Sequence, residues 1–205
     1  MSEAEQLSEL DALKIAIQSQ RLEAYLNSHH IPDNLWTKRI EGQPEPGSSA
    51  MQEAVCTGQF QHIPKKIITK ENLQAGDNLG YSTIHLLAEL GELSQLHESI
   101  ISEELLLTED DAFWTPYHSA AAYGHAEQIP LKYWTEKTLT WADQEGNCPC
   151  DLIIKSNQLD ALLGIDLPQE MKHKLGEQWW QKNEGLKADK KRLADKEEKH
   201  DIELF

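Results

Sequence analysis

The feature that most constrains this chain is a pattern of residues that repeats every 33 positions. The pattern consists of turn-forming, small and apolar residues. Three clear copies of it follow a weaker one. The clear copies are Asp77, Gly80, His85, Ala88, Gly91 and Leu96; Asp110, Phe113, His118, Ala121, Gly124 and Ile129; and Asp143, Gly146, Asp151, Ile154, Asn157 and Leu162. A fixed period of this length predicts supersecondary units that stack on one another, each burying one apolar stripe against its neighbours.

Within each period the residue types predict a turn, a first helix, a second helix and a loop. Asp77 to Gly80 carries turn chemistry, and the hydroxyl of Ser82 is expected to cap a first helix that ends at Gly91. Apolar residues at helical spacing predict the second helix: Leu93, Leu96, Ile100 and Ile101. The segments 69–73, 102–106 and 135–139 are expected to be the loops. The predicted fold class is therefore all-α.

The repeated residues resemble the ankyrin repeat. That family's signature reads Asp, two free positions, Gly, one free, Thr-Pro-Leu-His, one free, Ala-Ala, two free, Gly. Residues 110–124 match it with Phe113 in place of Gly and Tyr117 in place of Leu, and residues 77–91 match it with Ser82-Thr83-Ile84-His85. In residues 143–157 the match is worn. The resemblance covers residues 50–165 and implies an ankyrin-type helical solenoid of four to five repeats, with the terminal repeats degenerate.

The flanking segments are expected to close the two ends of this stack. Residues 1–41 predict an N-terminal helical cap or degenerate repeat, and residues 42–49, rich in Pro, Gly and Ser, predict a linker. Residues 166–195 predict a capping helix with Trp179 and Trp180 against the last unit. Residues 196–205 predict a polar tail with an apolar end, which is expected to fold back, to insert into another protein or to be disordered. Trp134 shares a column with apolar residues and is expected in the core.

Composition limits the compartment and the partners. The 205 residues include no apolar run near 18 residues, so no membrane span is expected, and the acidic N-terminus has no apolar core typical of a secretory signal. Three cysteines, an odd number that includes the close pair Cys148 and Cys150, do not make a disulfide framework, so a reducing, cytoplasmic location is expected.

Charge is the second compositional constraint. The net charge is −16, and residues 181–205 contain seven basic and seven acidic residues, so residues 1–180 carry all of it. A body this acidic repels phosphate backbones and attracts basic protein surfaces. A protein partner with a basic surface is therefore expected, and nucleic acid is not.

The candidate chemical residues favour structural roles. The chain contains no Gly-rich phosphate loop, no Gly-x-Ser-x-Gly and no His-Glu-x-x-His. The resemblance implies that His85 and His118 tie each turn to the next repeat by hydrogen bonds. Two thiolates do not complete a tetrahedral metal site, so Cys148 and Cys150 are interpreted as substitutions in a turn and a core column. No catalytic residue, cofactor or metal is expected.

The resemblance also implies which side chains meet a partner, because ankyrin-like proteins bind across the turn tips and the first helices of the concave face. Among the positions there that lie outside the core columns, seven are the candidate partner-binding residues: Leu79, Tyr81, Glu89, Leu90, Asp111, Trp114 and Tyr123. Aromatic residues at such positions are typical interface anchors. The favoured function is a non-enzymatic adaptor or inhibitor. The alternative is a scaffold or targeting subunit that regulates a partner enzyme, with the N-terminal helix or the C-terminal tail as its docking element.

Overall fold

In a computed structural model of the chain, the backbone is described for residues 3–38 and 48–203 and the side chains for residues 9–38 and 48–194. Over these residues the protein is all-helical, as the sequence predicted, and one isolated bridge joins Gly76 and Ser82. The α-helices are α1 Glu3–Gln18, α2 Leu22–Leu26, α3 Ala50–Cys56, α4 Lys70–Gln74, α5 Thr83–Glu89, α6 Glu103–Leu106, α7 Pro116–Tyr123, α8 Glu136–Leu139, α9 Pro149–Lys155, α10 Lys172–Leu175 and α11 Glu177–Glu203. Single 3₁₀ turns are Asp33–Leu35, Phe60–His62, Lys65–Ile67, Leu93–Gln95, Ala126–Gln128, Leu131–Tyr133, Leu159–Leu162 and Gln169–Met171.

The first helix of each unit begins and ends where the local residue chemistry dictates. Thr115 precedes α7 with an extended backbone and Pro116 occupies the first helical position, where a missing N–H costs nothing. His118 completes a capping box with Thr115. Gly124 ends the helix at φ +96°, a left-handed conformation that glycine adopts without steric cost.

The predicted second helix is wrong. Only the 3₁₀ turn Leu93–Gln95 forms, and Leu96 then turns extended, with ψ 139°. In the neighbouring units Pro64 and Pro130 occupy the position after the equivalent residue; proline lacks an N–H and disfavours helical geometry in the residue before it. Each unit therefore replaces a continuous second helix with 3₁₀ turns.

The predicted loops are wrong as well, because they are short α-helices. In α4, α6 and α8 the hydroxyls of Thr69, Ser102 and Thr135 accept the backbone N–H three residues later, each at 3.2 Å. Such hydroxyl caps satisfy the donors that a helix leaves open at its start. The units of α5 and α7 thus consist of a turn, a first helix, a 3₁₀ segment and a short capped helix.

The first helices pack in chain order, with α1 on α3, α3 on α5, α5 on α7 and α7 on α9. One column of these helices is fully buried in every unit: Ala54, Leu87, Ala120 and Ile153. Trp134 is also buried, as predicted, with its ring edge-on to Tyr117 at 4.9 Å between centroids. The core is therefore a continuous row of small and medium apolar side chains.

Flanking helices are fixed to both ends of this row. At the N-terminal end Gln59 accepts the N–H of Leu22 and donates to the Ile17 carbonyl, which fixes α1 and α2 against the first unit. At the C-terminal end Trp179 and Trp180 are buried, and the Trp179 indole donates to the Leu159 carbonyl at 2.7 Å. These contacts hold α11 against the last unit.

The predicted boundaries of the linker and of the C-terminal tail differ from those of the helices in the structure. Of the linker 42–49, residues 42–47 lie outside the described residues, and Ser49 is the N-cap of α3. Helix α11 runs through residue 196 without a break and reaches Glu203, so it includes most of the predicted tail. Leu204 and Phe205 lie outside the described residues.

Candidate partner-binding face

Aspartate side chains build the three turns that precede the first helices. The carboxylate of Asp77 accepts the N–H groups of Leu79 and Tyr81 at 2.9 and 3.0 Å. Asp110 and Asp143 make the equivalent pairs of bonds in their own turns at 2.8–2.9 Å. This local bonding is the reason that Asp is favoured at the start of such turns. These three carboxylates are therefore structural.

Backbone hydrogen bonds join the tips of successive turns. The N–H of Asp111 donates to the carbonyl of Leu79 at 2.8 Å, and 33 residues later the N–H of Gln144 donates to the carbonyl of Ala112 at 2.9 Å. The tips thus form a continuous row that carries two of the predicted site residues, Leu79 and Asp111, side by side.

His85 and His118 bind each turn to the next unit. Nδ1 of His85 accepts the N–H of Ser82 at 3.2 Å, so Nε2 carries the hydrogen and donates to the Trp114 carbonyl at 3.0 Å. His118 makes the same pair of bonds to Thr115 and to the Asn147 carbonyl, at 3.1 and 3.3 Å. Burial lowers the pKa of both imidazoles, which favours this neutral form. Both histidines therefore have the structural bonds expected of them.

Two of the three predicted aromatic anchors are less exposed than expected. Tyr81 and Trp114 are half-buried, because Ser119 lies between them. The Trp114 indole donates to the Ser119 hydroxyl at 2.9 Å, and the Tyr81 hydroxyl lies 3.3 Å from the same oxygen. The Trp114 ring also packs on His118 at 5.0 Å between centroids. These two side chains form the floor of the face.

Glu89 connects this floor to the exposed rim. The Tyr81 hydroxyl donates to a Glu89 carboxylate oxygen at 2.6 Å, and burial together with this bond raises the pKa of Tyr81. The negative charge of Glu89 raises the pKa of Tyr123, whose side chain is 57% exposed. Leu90, next to Glu89 in the chain, is 44% exposed. Tyr81 and Tyr123 therefore meet at the carboxylate of Glu89.

We call the seven predicted residues together the turn-and-helix face: Leu79, Tyr81, Glu89, Leu90, Asp111, Trp114 and Tyr123. Leu79 at its tip is 56% exposed. Phe113, an exposed apolar residue that the predictions omitted, lies in the tip that follows. Phe113 is 49% exposed and has φ +60°, a left-handed conformation that is unusual for a bulky residue. A phenylalanine in a glycine column was the sequence signal for it.

Charge divides each unit into two halves. The segments that contain the turns and first helices, 76–92, 109–125 and 142–158, together carry nine acidic residues and one basic residue, Lys155. Three of the nine are the turn aspartates, and Glu89 and Asp111 remain on the face. The other lysines of residues 50–165 all lie in the 3₁₀ and short-helix halves. The turn-and-helix face is therefore both acidic and partly apolar.

The cysteine pair occupies the positions predicted from the repeat register. Cys148 donates to an Asp151 carboxylate oxygen at 2.9 Å and receives the Lys174 ammonium at 2.9 Å. Cys150 is fully buried, and burial raises the pKa of its thiol to about 12. The described residues contain no group of three or more His, Cys, Asp or Glu side chains placed to hold a metal ion.

Comparison of the chain with protein-family models and with curated protein sequences gives no match. None of the described helices combines the length and the apolar character required to cross a bilayer. The interpretation of the face therefore depends on its geometry and charge.

Proposed function

We propose that this chain is a non-enzymatic protein-interaction module that holds a basic segment of a partner protein on the turn-and-helix face. One observation carries the proposal: exposed apolar side chains and acidic side chains coincide there, while every lysine of residues 50–165 except Lys155 lies in the other half of its unit. Interfaces combine apolar anchors with complementary charge, and charge mainly sets the rate of association and the choice of partner.

The contacts of the face support binding rather than catalysis. Both ring nitrogens of His85 and of His118 are taken up in hydrogen bonds, Nδ1 to the cap residue of the same unit and Nε2 to a carbonyl of the next unit. Tyr81, Trp114 and Ser119 fix one another, so the floor is rigid before a partner arrives. A preorganised surface loses less conformational entropy when it binds.

We propose further that the fold is an ankyrin-type solenoid. The repeat register and the inter-unit bonds of His85 and His118, each to a carbonyl 29 residues ahead, support this assignment. The replacement of the second helix by 3₁₀ turns distinguishes these units from a plain helix-turn-helix repeat. A cytoplasmic location is proposed because Cys56, Cys148 and Cys150 are free thiols.

Selection from a random peptide library tests the proposed function. The parent protein is expected to enrich peptides that combine Lys or Arg with apolar residues, and the double variant Leu90→Ala/Tyr123→Ala is expected to lose them. The matched control is Leu131→Ala, which removes an apolar side chain that is 40% exposed outside the face. Enrichment of acidic peptides, or equal enrichment by the double variant, contradicts the proposal.

A further inference from the structure

A second apolar surface lies away from the turn-and-helix face, between the 3₁₀ segments of two successive units. It is an open groove of about 540 Å³ with buried Phe60, Ile63 and Leu96 along its floor. Partly buried Ile68 and Ile100 form its walls. We call it the Ile100 groove. Its size lies within the range of about 300–1,000 Å³ that is usual for ligand pockets.

The repeat register explains why this groove is open. One period later the column of Ile100 contains Tyr133, whose hydroxyl donates to the Ile101 carbonyl of the preceding unit at 2.7 Å. The aromatic ring thereby bridges the two units at the position that corresponds to the Ile100 groove. Ile68 precedes Ile101 by one period, so its carbonyl corresponds to the one that Tyr133 bonds. Ile100 has no hydroxyl and does not make this bond.

The two walls of the groove differ in charge, because the segment of the second wall, residues 93–108, carries three glutamates and no lysine. Residues 59–75, which form one wall, carry three lysines and one glutamate. Lys65 lines the groove and is exposed. Glu98, on the other wall's segment, is paired with Lys132 at 3.0 Å, in the direction of the next unit. Among the residues that line the groove, Lys65 is therefore the lysine that an entering acidic ligand meets.

We propose that the Ile100 groove binds a tyrosine side chain from an acidic segment of another protein. The ring occupies the space that Tyr133 fills between the next two units, and the hydroxyl donates to the Ile68 carbonyl as Tyr133 does to that of Ile101. Acidic residues beside the tyrosine pair with Lys65. This proposal does not depend on the proposed function. Its ligand is acidic rather than basic, and the ligand contacts residues outside the turn-and-helix face.

Methyl NMR spectroscopy of the full chain tests the proposal with end-blocked tripeptides as probes. Titration with Glu-Tyr-Glu is expected to give saturable shifts of the methyl signals of Ile63, Ile68 and Ile100. Glu-Ala-Glu is expected to bind at least about tenfold more weakly, because it lacks the ring. Equal shifts from both tripeptides, or shifts that depend only on protein concentration, overturn the proposal; the second result would indicate self-association.

Two variants provide the controls. Ile100→Tyr supplies the missing side chain from within the chain, so it is expected to raise the melting temperature and to abolish the shifts caused by Glu-Tyr-Glu. Lys65→Glu changes only an exposed rim charge, so its folding is retained, and it is expected to weaken Glu-Tyr-Glu binding by up to about fivefold. If Ile100→Tyr folds and still binds the probe at parental affinity, the groove is not the binding site. If it does not fold, the other two measurements still decide the question: Glu-Ala-Glu that binds as tightly as Glu-Tyr-Glu, or Lys65→Glu that binds Glu-Tyr-Glu with the affinity of the parent, overturns the proposal.

Discussion

Nε2 of His85 donates a hydrogen bond to the backbone carbonyl of Trp114, 29 residues further along the chain, at 3.0 Å. This bond connects the start of one first helix to the turn of the next unit. Its counterpart from His118 to Asn147 has the same sequence separation. Neutral imidazoles therefore add to the apolar core in holding these units together, which makes the stability of the fold sensitive to mild acid.

We expect the free energy of unfolding to fall as the pH drops below about 6.5, the ordinary pKa of histidine. Burial lowers the pKa of His85 and His118 in the folded state, so below 6.5 the unfolded chain binds protons that the folded chain does not. The contribution of these two histidines to the free energy of unfolding is fully present above pH 6.5. It is lost toward lower pH, by at most about 1.4 kcal/mol per pH unit for each histidine. Urea unfolding at pH 7.5 and 5.5 measures it.

The control for the pH experiment replaces an exposed histidine. His30→Gln should leave the pH dependence unchanged, whereas His85→Gln/His118→Gln should reduce it, even if that variant is less stable at every pH. An equal slope in the parent and the double variant would show that other groups cause the acid sensitivity.

The substitution Gly124→Val tests the register at its best-matched unit. The added Cβ meets no heavy atom within 4 Å, so the cost comes from the backbone, which holds φ +96°. We expect a loss of about 1–3 kcal/mol of stability. Gly185→Ala, within α11 and also without close neighbours, should be neutral or stabilising by up to about 1 kcal/mol. If Gly124→Val melts like the parent, the proposed end of α7 is wrong.

The repeat period was enough to predict the turns and the first helices, because each of these depends on residues a few positions apart. The short capped helices were interpreted as loops, and the apolar spacing of the 3₁₀ segments imitates a helix, although Pro64 and Pro130 interrupt it. The half-burial of Tyr81 was not predictable, since it depends on Ser119, which is 38 residues away in sequence.

Phe113→Gly should separate stability from binding. The neighbouring units have glycine in the column of Phe113. Glycine at position 113 would adopt the left-handed conformation without strain, so we expect a gain of about 1 kcal/mol in stability. The same change removes an exposed apolar side chain from the tip next to Leu79, so binding of the selected basic peptides should weaken. Thermal melting and peptide titration are measured on the same sample. Unchanged binding would remove Phe113 from the surface that contacts the partner.

Trp114→Ala and Tyr123→Ala are expected to differ. Trp114 packs on His118 and donates to Ser119, so its removal should lower both the melting temperature and the affinity for a basic peptide. Tyr123 is mostly exposed, so its removal should weaken binding and leave the melting temperature unchanged. Parental affinity in Trp114→Ala would exclude the floor of the face from binding.

The association rate of a basic peptide, measured at two salt concentrations, should be lower at high salt, because salt screens the attraction between the peptide and the acidic face.

Photo-crosslinking tests the central claim, that the turn-and-helix face contacts the partner, most directly. The photoreactive residue p-benzoylphenylalanine replaces Tyr123 on the face in one sample and Leu131 outside it in the other, and each is irradiated with the selected basic peptides. We predict a crosslink at position 123 that disappears when unlabelled peptide competes, and none at position 131. A crosslink at position 131 with none at position 123 would contradict the account.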